Sequence, residues 1–595
     1  MPREAKHIRP GPLRKYVRLT AMDRRQIRIV LASMAAVVML WLLSPLSGDR
    51  PSDPAIPDST LLFDAQKGFD ATQEFVTRYP RRVLGSLEAR QSTAFFRSRL
   101  QPLGYEITYS HFDATIANRT EVGRNVFAFR RGQLPEILVI TAHYDTARPT
   151  IQGAMDDGSG VGVLVELGRV LSIAPLRHSL LLVASDGEEW GMLGARDVAE
   201  NYPEQDRIAA ALSLDYLAPG ELASLQLAVV GLGSGYSPSW LRDLARKAAA
   251  PERLVVLEPA GLPEHLERAL LISLTDQGPL LGKGIPAINL GSGSLDQALE
   301  ARIYHSPEDT IEKLKIASLK KYGHAAERIL RSLDDASPIR REVSAPFRVT
   351  VGRYLPGPTV TILHLLAFVP LVLGLCFLWR NGHGPLNLAR ATRELIVLVG
   401  MLLPCASVYY AIVVMTRTGR IPVFSGYPPG PRDPTLENPV WPVVIGLGVV
   451  LLLTAIACFF GVRFLSRKLP APDFSTSRML TLGVLAIVVV LAMGYNSYWA
   501  VAFLSLPAWI WVLVEKGRCA RSRLLKAALI LPAGLPWFAL TTHYPHFPGV
   551  GWPMIWFEIL ALSTGMFTLV AYFLAAMMVA IGLRLAALQF VGAGD

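Results

Sequence analysis

Three apolar runs in the first half of this 595-residue chain each end abruptly in acidic or histidine residues. Ile137-Leu138-Val139-Ile140 leads into His143-Tyr144-Asp145, and Asp156-Asp157 follow in a glycine-rich turn between Gly153 and Gly160. The run Leu180 to Ala184 ends in Ser185-Asp186-Gly187-Glu188-Glu189, and Ala211 to Leu214 ends in Asp215. A further histidine arrives late, in Tyr304-His305-Ser306-Pro307-Glu308-Asp309-Thr310. Imidazole nitrogen with carboxylate oxygen is a donor set that suits zinc. Two ions about 3.5–4 Å apart need a bridging carboxylate plus histidine and carboxylate on either side. Hydrolysis also needs a carboxylate that takes a proton from water without being a ligand. The inventory points to metal-assisted hydrolysis.

Such groups gather when strands of one sheet run parallel and present their carboxyl ends at one edge. The pattern supplies that frame. Strands are expected near Ile137–Ala142, Leu180–Ala184, Ala211–Leu214, Leu225–Val230 and Ile285–Leu290. Helices are expected around Phe75, at Phe95–Leu100 and Val161–Leu171, after Gly191, at Trp240–Ala249, and over Ile311–Leu333 as the closing element. Alternation of this kind predicts an α/β domain, a mostly parallel mixed sheet with helices on both faces.

Composition separates that domain from its flanks. Hydrophobic residues make up 51% and charged residues 18%, which is too apolar for an ordinary soluble chain. Residues 1–28 read as a basic cytoplasmic tail, 29–46 as an uncleaved transmembrane signal anchor and 47–60 as a linker. The soluble domain covers 61–335, 336–357 is a second linker, and 358–595 is an all-α membrane domain of about seven spans. Those spans are expected near 358–379, 395–415, 440–462, 479–495, 498–515, 525–541 and 554–582. The net charge of +11 sits in the N-terminal tail and in alternate connections between spans, which is the positive-inside pattern and argues against nucleic acid. It places both termini in the cytoplasm and the soluble domain outside, on the periplasmic side of a bacterial inner membrane or, alternatively, in an endomembrane lumen. Loop 416–438 is the exception, an outer connection carrying Arg417, Arg420 and Arg432. The four cysteines all lie in or beside the apolar spans, so the soluble domain has no disulfide.

The stretch from Leu61 to Leu333 resembles the co-catalytic two-zinc aminopeptidases, a family that also holds glutamate carboxypeptidases and glutaminyl cyclases. The membrane layout resembles its endoplasmic-reticulum and vacuolar membrane branch. The motifs carrying the resemblance are His143-x-Asp145, Gly153-Ala154-x-Asp156-Asp157-x-Ser159-Gly160, Glu188-Glu189, Asp215 and Tyr304-His305-Ser306-x-x-Asp309-Thr310. It implies a zinc exopeptidase-like fold and two zinc ions per chain. His143 and Asp215 would hold one ion, Glu189 and His305 the other, with Asp156 bridging. Glu188 would be the general base acting on a metal-activated water, Asp145 would fix the His143 tautomer, and Tyr304 would donate to the oxyanion. The implied activity is removal of N-terminal residues from peptides. Carboxypeptidase action, glutaminyl cyclization, and an inactive outer domain serving a membrane transport or binding protein stand as alternatives. Thr275-Asp276-Gln277-Gly278 departs from the Ser-Asp-His that relatives often carry, which leaves the specificity pocket open. A homodimer is compatible with the sequence.

The remaining polar groups have plainer expectations. Asp157 and Asp186 read as turn or capping groups, and Asp309 as a cap of the closing helix. His111, His178 and His265 are given no role, and His543 and His546 read as interfacial packing. Glu558 reads as a membrane-boundary carboxylate. The spans show no run of buried acidic and basic residues, which gives ion coupling little support.

Overall fold

The computed structural model describes residues 22–44, 60–217, 219–336, 339, 345–350, 353–381, 388–471, 473–530 and 552–590. Most of the 47–60 linker, part of the 336–357 linker, residues 531–541 of one expected span, and His543 and His546 lie outside them.

The soluble domain is built on an eight-stranded mixed sheet. In chain order its strands are β1 (Glu106–Ile116), β2 (Arg119–Arg130), β3 (Leu134–His143), β4 (His178–Ser185), β5 (Ile208–Leu214), β6 (Leu222–Ala228), β7 (Val255–Leu257) and β8 (Ala287–Ser294). The spatial order is β1-β2-β4-β3-β5-β8-β6-β7. The four central strands β4, β3, β5 and β8 are mutually parallel, whereas β1 with β2, β2 with β4 and β6 with β8 pair antiparallel, and β7 runs parallel to β6. Register brings the site-bearing ends level, with His143 opposite Ser185 and Ala142 opposite Leu214.

The central strands read as unbroken apolar runs because both faces are covered. Leu138, Ile140, Leu180 and Leu182 enter one core with Phe75, Phe95, Val163 and Ile329 from the helices Ala65–Arg78, Leu87–Leu100, Ser159–Ser172 and Ile316–Asp335. Their sequence neighbours Ile137, Val139, Leu181 and Val183 enter another, with Val198 from Leu193–Asn201 and Leu280 and Leu281 from Gln277–Gly282. The helix–strand alternation matches the expected order. The β1–β2 hairpin and β7 were not foreseen: β1 is half exposed along most of its length. Its turn residues Ala117 and Asn118 both have positive φ, 50° and 68°, as a two-residue hairpin turn requires.

Among the described residues, six helices are long and apolar enough to cross a membrane: Arg24–Leu43, Gly357–Asn381, Leu388–Arg417, Trp441–Ser466, Phe474–Tyr495 and Leu569–Leu588. Ser497–Leu513, expected as a span, is a shorter apolar helix. The expected span 554–582 is instead two helices, Trp552–Thr564 and Leu569–Leu588, because the chain turns at Gly565 with φ of +77°.

Just outside the expected bounds of three spans, Glu394, Arg478 and Arg584 are buried. Arg584 donates from Nε and Nη2 to the two carboxylate oxygens of Glu394, each at 2.6 Å. Ser477 and Thr481 also donate to that carboxylate, at 2.9 and 3.0 Å, and Arg478 beside them is buried, donating to the Val512 carbonyl at 2.6 Å. The three charged residues come from the ends of three different helices, where sequence spacing gives no hint that they meet.

Candidate metal centre

The parallel strands deliver their groups at one edge. His143 is the last residue of β3, Glu188-Glu189 follow β4 in a single helical turn, and Asp215 follows β5. His143 Nε2 lies 3.1 Å from Asp156 Oδ1 and 3.5 Å from Asp215 Oδ1. His305 Nε2 lies 3.3 Å from Asp156 Oδ2 and 3.0 Å from Glu189 Oε2. Two groups result, His143-Asp156-Asp215 and Asp156-Glu189-His305, and in each the donor atoms all lie within 4.8 Å of one another. Asp156 belongs to both and gives a different oxygen to each histidine. A tetrahedral ion with bonds of about 2.0–2.1 Å sets its donors about 3.3 Å apart, so the residues present fit zinc.

Electrostatics agrees with that fit. Burial pushes Glu188, Glu189 and Asp215 upward, with neighbouring carboxylates adding to it. Burial also acts on Asp156, but hydrogen bonds from His143 and His305 hold it below the usual carboxylate range. Burial would lower His305, yet Glu189 and Asp156 raise it to about 10, and Asp145, Asp156 and Asp215 likewise hold His143 well above its ordinary value. A buried cluster with this excess of carboxylates is costly without cations.

The other sequence candidates fall around these groups. Glu188 is in neither group and lines the cleft beside them. Asp145 Oδ1 is 3.4 Å from His143 Nδ1, and the Asp145 carboxylate accepts the backbone N–H groups of Glu188 and Glu189 at 3.1 and 3.3 Å. Tyr304 lines the same cleft, its ring stacked on His305 at 3.9 Å and edge-on to Tyr216 at 5.5 Å. Burial and the surrounding carboxylates keep its hydroxyl protonated.

Several residues that hold the site in shape escaped sequence reasoning. Asp309 does not cap the closing helix. Its carboxylate accepts the backbone N–H groups of Ala154, Met155 and Asp156 at 3.0, 2.7 and 3.1 Å, which fixes the turn carrying the shared ligand. Burial pushes Asp309 up to about 7; the Met155 N–H opposes this and Asp156 adds to it. Arg82 is fully buried and donates to the carbonyls of Tyr79, Tyr144, Gln152 and Gly153, closing the loop that joins His143 to Asp156. Asp157 accepts from the N–H of Gly160 three residues on, a turn contact, and from that of Tyr216, whereas Asp186 accepts from the N–H of Arg124 on β2 and so ties two strands together rather than closing its own turn. Asp276 accepts from Thr141 and Ser185 on the adjoining strands. A carboxylate facing backbone N–H groups more than 150 positions away leaves no local signature, although its place in the His305-x-x-x-Asp309 motif did mark it.

Residues 125–330 match the model of peptidase family M28. The chain is 29% identical over 195 residues to aminopeptidase YwaD of Bacillus subtilis, covering 32% of this chain and 39% of that protein. It is 27% identical over 173 residues to the alkaline phosphatase isozyme conversion protein of Escherichia coli, covering 25% of this chain and 50% of that protein. The chain thus spans half or less of these relatives' own length. Glutaminyl cyclase of Porphyromonas gingivalis superposes over 46% of this chain and 99% of its own, with 22% identity and a TM-score of 0.40.

Proposed function

We propose that this chain, whose residues 125–330 match the model of peptidase family M28, is a membrane-anchored zinc exopeptidase with two zinc ions, most simply an aminopeptidase. The observation that carries the reading is Asp156, which divides its two oxygens between two histidine-carboxylate groups. His143, Asp156 and Asp215 would hold one ion, and Asp156, Glu189 and His305 the other. Zinc bound there supplies Lewis acidity, which makes water nucleophilic at neutral pH.

The side chains do the rest. Glu188, half-buried in the cleft beside both groups but outside them, takes a proton from the attacking water and returns it to the leaving amine. Tyr304, held protonated, donates its hydroxyl hydrogen to the scissile carbonyl oxygen as charge develops. Asp145 keeps the His143 ring oriented through Nδ1 and fixes the Glu188-Glu189 backbone.

The peptidase domain lies outside the cytoplasm, with both termini inside. Outer connections of that arrangement touch the domain. Asn496, between two apolar helices, donates to the carbonyls of Arg268 and Ala269, and loop 418–438 pairs with the end of β1. Arg432 in that loop, an exception to the positive-inside pattern, donates to three carbonyls of the domain.

Release of amino acids from free and N-acetylated peptides by the detergent-purified protein tests the reading. Cleavage of free N-termini alone, lost in Glu188→Gln and on chelation and restored by zinc, supports it. Release of C-terminal residues would make the enzyme a carboxypeptidase. Conversion of N-terminal glutamine without cleavage would make it a cyclase.

A further inference from the structure

The cleft beside the metal groups, about 80 Å³ in volume, is walled by both halves of the chain. Glu188, Glu189 and His305 stand on one side. Facing them is the strap Tyr427-Pro428-Pro429-Gly430-Pro431, from the loop joining Leu388–Arg417 to Trp441–Ser466. Leu436 from the same loop, and Phe557 and Met566 from the helix Trp552–Thr564 and the turn after it, complete that side. All of these lie outside residues 125–330, and none carries a charge.

The strap is a built part of the site. Val423 and Ser425 exchange hydrogen bonds with Asn118 and Thr115 at the end of β1, and Phe424 bridges to Ile116. Phe424 also stacks on Trp190 at 5.9 Å and 9°, and the Tyr427 N–H donates to the Trp190 carbonyl at 3.1 Å. A Cβ on Gly426 would lie 1.8 Å from that carbonyl oxygen, so the approach needs glycine. At the far end, a Cβ on Gly430 would lie 2.8 Å from His305 Cε1, which puts the strap backbone directly against the ligand ring. Arg432 donates to the carbonyls of Ala301, Arg302 and Tyr304 at 2.6–2.8 Å, at the end of the helix Gln297–Ile303 that leads into His305. His305 itself is at φ of +51°, a conformation a non-glycine residue holds only when its surroundings fix it.

We propose that this strap, with Leu436, Phe557 and Met566, forms the substrate wall of the peptidase cleft and selects peptides with an uncharged, apolar residue at the cleaved end. The membrane half is then part of the active site, and specificity lies in residues outside the family's own segment. A charged side chain entering here would lose its hydration against proline, leucine, phenylalanine and methionine with no opposite charge among the residues of that wall. The inference rests on the exopeptidase reading above, and the test separates the two.

Met566 is half-buried in a turn and packs against the edges of two apolar clusters, so folding of each full-length variant is checked by thermal unfolding beside the kinetics. Hydrolysis of leucyl, lysyl and glutamyl 4-methylcoumaryl-7-amides is measured for wild type, Met566→Glu and Met566→Lys, alongside N-acyl dipeptides ending in leucine, lysine or glutamate. The wild type is expected to favour leucine from whichever end is cleaved. Met566→Glu is expected to raise the lysine-to-leucine ratio of kcat/KM about tenfold, and Met566→Lys the glutamate-to-leucine ratio similarly, chiefly through KM. Ratios within twofold of wild type in both variants, or a wild-type preference for a charged residue, overturn the proposal. If neither end is cleaved, the exopeptidase reading falls, and calorimetric binding of leucinamide against lysinamide still reads the wall. Tighter leucinamide binding that Met566→Glu reverses supports it, and equal binding overturns it.

Discussion

Asp309→Ala isolates the part of the site that holds a ligand without being one. Three backbone N–H groups, those of Ala154, Met155 and Asp156, end on its carboxylate, and the side chain is fully buried. Alanine leaves all three donors orphaned at about 1–3 kcal/mol each, so the loss is roughly 3 kcal/mol even at the low end. For a domain of this size that lowers Tm by about 6–12 °C. The same donors fix the turn carrying Asp156, and groups that orient a metal ligand in this way are worth about 10–100-fold in metal affinity. Asp309→Asn keeps one acceptor oxygen but aims an NH₂ group at backbone donors, so it is expected to fall between wild type and alanine. The assay is zinc competition against a chromophoric chelator, with thermal unfolding of the zinc-free protein run beside it. An Asp309→Ala protein that holds zinc within threefold of wild type and melts within about 2 °C of it would refute the reasoning.

Three further outcomes follow from the same geometry. Arg432→Ala removes the donors to the Ala301, Arg302 and Tyr304 carbonyls, and kcat/KM is expected to fall about 10–100-fold, with Arg432→Lys intermediate; steady-state kinetics checks this. Glu394→Leu or Arg584→Leu alone leaves one member of a buried pair uncompensated, at about 3–5 kcal/mol, whereas the double replacement costs less than either; thermal unfolding in one detergent reads the difference. Glu267 is pushed up to about 7 by burial, with the Tyr236 hydroxyl hydrogen bond opposing. Its folded pKa thus lies above its ordinary 4.5, the folded state binds the extra proton, and its contribution to stability falls as pH rises from about 4.5 to 7. The full effect is at most about 3 kcal/mol, and Glu267→Gln is expected to flatten the Tm profile over that window.

The frame of the site was legible because its signals are local. Ile137 to Ile140, Leu180 to Ala184 and Ala211 to Leu214 are apolar on both faces, as only strands covered on both sides are, and each stops where a ligand type begins. What brings His143, Asp156, Asp215, Glu189 and His305 together is parallel register, which strand order implies and the pairing of His143 with Ser185 realises. The supports were hidden for the opposite reason. Asp309, Arg82 and Arg432 bond backbone groups, which every residue carries, so nothing in the partner's identity announces the contact. The strap was visible only as an anomaly, three arginines in a loop that the charge pattern expects to be poor in them, and Arg432 explains part of it by lying against the carbonyls of Ala301, Arg302 and Tyr304. Glu394 and Arg584 sit 190 positions apart on helices whose composition reads simply as apolar. The expected span 554–582 failed at a single glycine, since hydropathy records apolar length and not the positive φ that turns the chain at Gly565.

Zinc content per chain, measured with turnover on full-length wild type and Glu188→Gln, separates a two-zinc hydrolase with Glu188 as base from every other reading of the site. Two zinc ions are expected in each protein, with loss of peptide hydrolysis only in the variant, because Glu188 moves the proton and holds no metal. A single zinc in the active wild type, or a variant that loses zinc along with activity, would contradict that assignment.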